Sequence, residues 1–203
     1  MAQKFAGSLG YPGGNITGLF LDLPEIGGKW IQLLKEAVPK QTRVAVLWDP
    51  TIGQHLLKGV EAAARSLRVQ VFGVEAQGPG DLASALQSTT KHKAEGLVVL
   101  TSPALNSASK EIAALALQHR LPAIMSFPGF ADDGGLMAYG PNLLTMFRQN
   151  AAFMAKVLQG VRPSEIPIER PVRFEFAINT KTAKALGIKV PQSLLVRADR
   201  VIE

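Results

Sequence analysis

Residues 43–67 read RVAVLWDPTIGQHLLKGVEAAARSL, and the reading of this stretch decides the fold. Val44 to Trp48 is an unbroken apolar run. Continuous rather than alternating apolarity belongs to a strand covered by helices on both faces. Asp49-Pro50 ends the run. From Gly53 onward Leu56, Leu57, Val60, Ala63, Ala64 and Leu67 recur at helical spacing, while Gln54, Lys58, Glu61 and Arg65 fall on the opposite side. Strand, tight polar loop and amphipathic helix in succession open a βαβ unit. In open parallel sheets the ligand crevice lies beyond the carboxyl ends of the strands, so the loop from Asp49 to Gln54 is where function is sought first.

The same alternation continues outward. Val69 to Val74 reads as a second strand, Asp81 as the N-cap of a helix to about Lys91, and Gly96 to Leu100 as a third, fully buried strand. Ala104 to His119 reads as helix and Pro122 to Met125 as a fourth strand. Upstream, Pro24 opens a helix through about Val38, with Ile26, Trp30, Leu33, Leu34 and Ala37 on one face and Pro39 as its stop. The pattern predicts an α/β fold, a doubly wound parallel sheet over residues 24–135, with the strand at 44–48 near its centre.

After Met125 the pattern changes. Ser126 to Gly135 is a Gly-, Pro- and Asp-rich loop, and the short apolar run Leu136 to Tyr139 ends at Gly140-Pro141, as a hinge crossing would. Residues 136–172 hold this crossing and a long helix from about Asn142 to Gln159, with Phe147, Ala151, Met154 and Leu158 at helical spacing and Gly160 as its stop. Pro163, Pro167 and Pro171 keep the next segment extended. Residues 173–203 supply a return strand at Arg173 to Ile178, a short helix at Thr180 to Leu186 closed by Gly187, and a final segment. At the front, a glycine-rich turn at Gly7 to Gly14 precedes a β-like stretch, Asn15 to Leu21; a strand preceded only by a turn suggests that chain belongs upstream of it.

Composition narrows the function classes. With 203 residues, 47% hydrophobic and 19% charged, the chain can bury a full core. Its apolar runs fall short of the ~20 residues that cross a bilayer, and MAQKFAGSLGYPGG lacks an apolar h-region, so no export signal is expected within it. The absence of Cys excludes disulfides, thiolate catalysis and zinc–thiolate sites. The net charge of +6 is spread over scattered Lys and Arg without interleaved aromatics, which describes a solvated basic surface rather than a nucleic-acid site. His55, His92 and His119 fall in separate elements without metal-ligand spacing. Neither a nucleophile elbow nor a P-loop occurs, GSLGYPGGNITG lacks the strand-to-helix context of a dinucleotide fingerprint, and Asp132-Asp133 reads as solvated. No catalytic residue, metal or cofactor is expected.

The candidate ligand-binding residues lie at strand ends: Asp49, Thr101, Ser102, Ser126, Phe127 and Tyr139. Asp49 can accept from a ligand ammonium, or bond its own backbone in an Asx turn before Pro50. Thr101, Ser102 and Ser126 can hold a carboxylate with their hydroxyls and nearby helix-start amides, or serve as N-caps. Phe127 and Tyr139 can stack on a flat ligand group; for Phe127 the competing reading is packing at the hinge.

The segments PGGNITGL (12–19), KWIQLLKEAVPKQTRVAVLWDP (29–50), AEGLVVLTSPALN (94–106), HRLPAIMSF (119–127), GGLMAYGPNLLTMFRQNA (134–151) and PVRFEFAINTKTAKALGIKVPQSLLVRADRVIE (171–203) together resemble the substrate-binding proteins of ABC transporters. The resemblance implies a type I periplasmic-binding fold and a small-molecule ligand, in some members an aromatic amino acid, held in a cleft between two lobes. It also implies an ABC transporter permease as partner, no nucleic acid and a periplasmic location. Family members carry a signal peptide and most of a first lobe before the equivalent of Pro12, a lobe of about one hundred residues. On that reading residues 1–23 are a remnant of the first lobe with a hinge strand, and the chain holds one complete lobe plus segments of a truncated one. The surface left by the missing lobe would allow homo-oligomers. The competing reading is the ligand-sensing core of a regulator, or an enzyme lobe, on the same fold.

Overall fold

The computed structural model describes residues 6–21, 26–52 and 54–203. These form two compact units. The larger takes its described residues from Leu23–Gly140 and Glu175–Glu203, the smaller from Met1–Asp22 and Pro141–Phe174.

The larger unit is built on α1 (Ile26–Ala37), β1 (Arg43–Trp48), α2 (His55–Ser66), β2 (Gln70–Glu75), α3 (Pro79–Lys91), β3 (Gly96–Val99), α4 (Pro103–Ser107), α5 (Ser109–Gln118) and β4 (Ala123–Met125). It continues through β5 (Met137–Pro141), β6 (Phe174–Asn179), α7 (Thr180–Ala185), α8 (Gln192–Leu195) and β7 (Arg200–Ile202). Among the described residues seven strands form one sheet in the order β2-β1-β3-β4-β5-β6-β7. β1 pairs in parallel with β2 and β3, β3 with β4, β4 with β5, and β6 with β7. The last residue of β6 lies against the residue before β5, since Asn179 N donates to Leu136 O (2.9 Å), so those two neighbours run in opposite directions.

The apolar run that opened the sequence analysis is buried on both sides. Ala45, Leu47, Leu97, Val99, Ala123 and Met125 face one helical layer with Leu82, Leu86, Ile112 and Ala116 of α3 and α5. Val44, Val46, Val98 and Ile124, equally buried, alternate with them and face the layer of α1 and α2. Each fully buried Leu or Ile contributes about 1.5–3 kcal/mol against leaving it exposed. This is the doubly wound α/β arrangement expected from the sequence.

Four expectations need correction. The sheet does not end with its fourth strand: Leu136 to Tyr139 does not leave the sheet but enters β5, paired to β4, because its apolar side chains find a covered edge there. Consequently β1 lies second from one edge, and β4 is central. Asp81 does not cap α3. The helix begins at Pro79, whose ring pre-sets the first turn, and Asp81 accepts from Gln77 N instead (3.0 Å). The helix expected over 104–119 is two, broken at Ala108 between α4 and α5.

Helices α2, α3 and α5 end in one way. Arg68, Lys93 and Arg120 take positive φ (54°, 52° and 55°) just after the helix. Around each, the amide of the next residue returns to the last turn (Val69 N to Ala64 O, Ala94 N to Thr89 O, Leu121 N to Ala116 O), which is the Schellman arrangement.

The smaller unit contains α6 (Leu143–Leu158) and a short parallel pairing in which Glu169 N donates to Gly18 O and Phe20 N to Glu169 O. Asn142 caps α6 by accepting from Thr145 N (2.9 Å). Of the apolar side chains of α6, Phe153 is buried, whereas Leu144, Phe147, Met154 and Leu158 are exposed.

Candidate ligand-binding site

The parallel strands of the larger unit deliver the candidate residues to one edge. Leu47 pairs with Val99 and Val99 with Met125, so the residues that follow, Asp49, Thr101 and Ser126, emerge side by side. Met125 pairs with Ala138, which sets Tyr139 beside Ser126.

Asp49 is buried and forms the Asx turn that competed with ligand binding in the sequence reading. Its Oδ1 accepts from Thr51 N (2.9 Å) and Thr51 Oγ1 (2.6 Å). The Thr51 hydroxyl above all, together with the Thr51 amide and the Ser102 hydroxyl, holds the Asp49 carboxyl below its ordinary value against the opposing effect of burial. A carboxylate has about four acceptor positions. Thr51 fills two of them.

Ser102 is buried and faces two ways. Its oxygen caps α4 by accepting from Leu105 N (3.1 Å), and its hydroxyl is also among the groups that lower the Asp49 carboxyl. The turn Thr101-Ser102-Pro103 favours this, since Pro103 opens the helix without needing an acceptor for an N–H. Thr101 and Ser126 hydrogen-bond each other through their hydroxyls. One hydroxyl donates within that pair, which leaves the proton of the other to be donated elsewhere.

The two aromatic candidates sit differently. The Phe127 ring folds back over Gly129, where an added Cβ would come within 2.6 Å of it, and packs against the core. Its backbone closes the following 3₁₀ turn through Phe130 N to Phe127 O (3.0 Å). Tyr139 is half-buried, its ring edge-on to Phe176 with centroids 6.3 Å apart. Its carbonyl accepts from Trp30 Nε1 (2.8 Å). Burial chiefly, and then the negative charge of Asp199, pushes the Tyr139 phenol above its ordinary value, so it stays a neutral donor at neutral pH. Gly140 is required by close approach. A Cβ there would lie 1.8 Å from Ser126 O, so no other residue lets β5 run this close to the Ser126 loop.

The structure therefore brings Asp49 to Ser102, Thr101 to Ser126, and Tyr139 to the strand beside Ser126, while the Phe127 ring turns into the fold. Sequence reasoning passed over Asn106, in α4, whose Oδ1 is enclosed without a hydrogen-bond partner, and Trp30, which fixes the Tyr139 carbonyl. A lone Asn in a helix carries no pattern that would have singled it out. Asp132 is exposed, as expected, and pairs with Arg200 at the surface, while Asp133 is half-buried and accepts from Ser109. Among the described residues no group of three or more His, Cys, Asp or Glu is placed to hold a metal, and no helix is long and apolar enough to cross a membrane.

The family model for ABC transporter substrate binding proteins matches residues 1–202. The chain belongs to that family. Solved structures share its fold. A conserved domain protein from Vibrio cholerae aligns with a TM-score of 0.89 at 23% identity, over 98% of this chain and 67% of that one. An ABC domain from Streptococcus pneumoniae in complex with L-Trp aligns at 0.87 and 22% identity, over 97% and 68%. A ligand-free, open substrate-binding protein with adhesive properties from Clostridium difficile aligns at 0.72 and 20%, over 98% and 66%. This member of the family thus spans about two thirds of the length of those relatives. No match was found among curated proteins.

Proposed function

We propose that this family member holds a small zwitterionic solute of amino-acid type at the strand ends of its larger unit and presents it to an ABC transporter permease outside the cytoplasmic membrane. It binds and releases; it does not catalyse. The observation that carries the reading is the pairing of unlike groups along one sheet edge. After β1 stands an ionised carboxylate at Asp49, two of whose acceptor positions Thr51 fills, and after β3 and β4 a hydroxyl pair with one proton left to donate, at Thr101 and Ser126. An ammonium fits the first and a carboxylate the second. Tyr139, on the strand next to Ser126, adds a flat, neutral ring. A structural relative that carries L-Trp agrees with a ligand of this class.

Thermal-shift and calorimetric titration of the chain with the twenty L-amino acids, and with neutral sugars as a control, test the proposal. At least one amino acid is expected to raise Tm, and a ligand at about one hundred times its Kd stabilises by roughly 2.7 kcal/mol. Asp49→Ala and Ser126→Ala should each weaken that ligand by about 1–3 kcal/mol, the usual result of leaving a buried polar partner unpaired. Sugars that bind where no amino acid does would overturn the proposal.

A further inference from the structure

We infer that the amino-end edge of the sheet in the larger unit is a docking surface for a bilayer rich in anionic phospholipid. Cations that lie scattered along the sequence are gathered there by the topology. Thr42, Gln70, Glu95 and Pro122 take part in the first bonds between neighbouring strands, Gln70 N to Thr42 O (2.7 Å), Glu95 N to Arg43 O (2.9 Å) and Leu97 N to Pro122 O (2.9 Å). Two residues before each stands a cation: Lys40, Arg68, Lys93 and Arg120. In the sheet order β2-β1-β3-β4 they form the row Arg68, Lys40, Lys93, Arg120. At the usual strand spacing that row spans about 15 Å of backbone. Helices α2 and α3 run back toward the same edge and add Arg65 and Lys91 from their last turns. All six are exposed, and none makes an ion pair among the described residues. Of the acids at this edge, Glu95 accepts from Thr42 N (2.6 Å) and Arg43 N (3.0 Å), and Glu36 is paired with Arg197.

A second observation singles out three of these residues. Arg68, Lys93 and Arg120 hold left-handed backbone (φ 54°, 52° and 55°), where glycine or asparagine is the usual choice. The helix dipole favours a cation near a helix C-terminus, but by less than left-handed backbone costs an L-residue. The same exception occurs three times, always with a cation and always at one edge, which marks a charge kept despite backbone strain. The chemistry of the partner follows from what surrounds the row. Protein interfaces have an apolar centre. Among the described large apolar side chains of α1, α2, α3 and α5, Leu117 alone is exposed. Cations spread over the end of a sheet and its flanking helices, without apolar contacts, suit a plane of phosphate groups, to which each Lys or Arg adds a similar increment of binding. The guanidinium forks match phosphate oxygens in pairs. Asp49, Thr101 and Ser126 emerge at the other end of the strands, so a bound bilayer leaves them uncovered.

Co-sedimentation of the full chain with vesicles of phosphatidylcholine alone, or of phosphatidylcholine mixed with phosphatidylglycerol, tests the inference. Binding is expected to the mixed vesicles only, and high salt should abolish it. Arg68→Gly, Lys93→Gly and Arg120→Gly combined should weaken it on the order of a hundredfold. Their Tm should hold or rise, because glycine suits all three positions. Gln at the same positions keeps the backbone strain and should lose binding equally, whereas Arg68→Lys with Arg120→Lys should keep it. Removing three cations of the smaller unit instead, with Arg148→Gln, Lys156→Gln and Arg170→Gln, should leave most of the binding intact. Equal loss in that control would mean that net charge binds rather than the row, and would overturn the inference. So would binding to neutral vesicles, failure to bind the mixed ones, or a preference for duplex DNA or polyglutamate over the mixed vesicles at equal charge.

Discussion

Ser102 shows how much a single hydroxyl can hold together at a strand end. It closes the first turn of α4 through Leu105 N and is one of the hydroxyls that hold the Asp49 carboxyl below its ordinary value, so one side chain serves both helix and carboxylate. Ser102→Ala should cost about 1 kcal/mol for the cap alone. The sign of the second effect follows from linkage. A carboxyl whose folded pKa is depressed contributes stability above the ordinary carboxylate range and loses it as pH falls through the folded value. Removing the Ser102 donor brings Asp49 back toward its ordinary value. The deficit of Ser102→Ala is therefore expected to be largest at neutral pH and to shrink toward the cap term as the solution is acidified, as urea denaturation at several pH values would show. An unchanged deficit from pH 7 to pH 3 would mean that Ser102 acts on the helix alone. The Asx turn at Asp49 was legible in the sequence, because Asp before Pro suggests a turn, and its place at a strand end is what motivates the ligand role proposed for it. Asn106 was not legible, since an unpaired atom is a property of what surrounds it and not of its neighbours along the chain.

At the scale of the elements, helix ends divide by what their residues reveal. Gly160 and Gly187 stop α6 and α7 with φ of 91° and 73°, and both stops were readable because glycine is the expected residue there. Arg68, Lys93 and Arg120 do the same for α2, α3 and α5 without being glycine, and the expected ends of α2 and α5 fell one residue late while that of α3, at Lys91, was met. An L-residue in this left-handed region costs roughly 1–2 kcal/mol. Arg120→Gly is accordingly expected to stabilise the chain, by about 0.5–1 kcal/mol after the greater flexibility of glycine in the unfolded chain is offset. Chemical denaturation measures it. A destabilised Arg120→Gly would show that the arginine side chain contributes more than its backbone strain costs.

For the whole molecule, the first four strands could be read in order because each is local: apolar run, turn, helix, repeat. The places of β6 and β7 could not, since they enter the sheet only after the chain has passed through the smaller unit and returned, and pairing across such a distance leaves no periodic trace. The same return has a consequence for the architecture of the larger unit. Its two central-to-edge neighbours β5 and β6 run in opposite directions, and the chain leaves from the end of one and re-enters at the start of the other. They are the two arms of a β-hairpin whose loop has been replaced by residues 141–174. Joining Gly140 to Glu175 through Asn-Gly, a pair suited to a two-residue turn, and beginning the chain at residue 23, should yield a miniature domain that melts in one cooperative transition by circular dichroism. A broad or absent transition would show that the strands need the excised segment to find each other. A folded miniature would make the smaller unit a guest, spliced into a hairpin that was already complete without it.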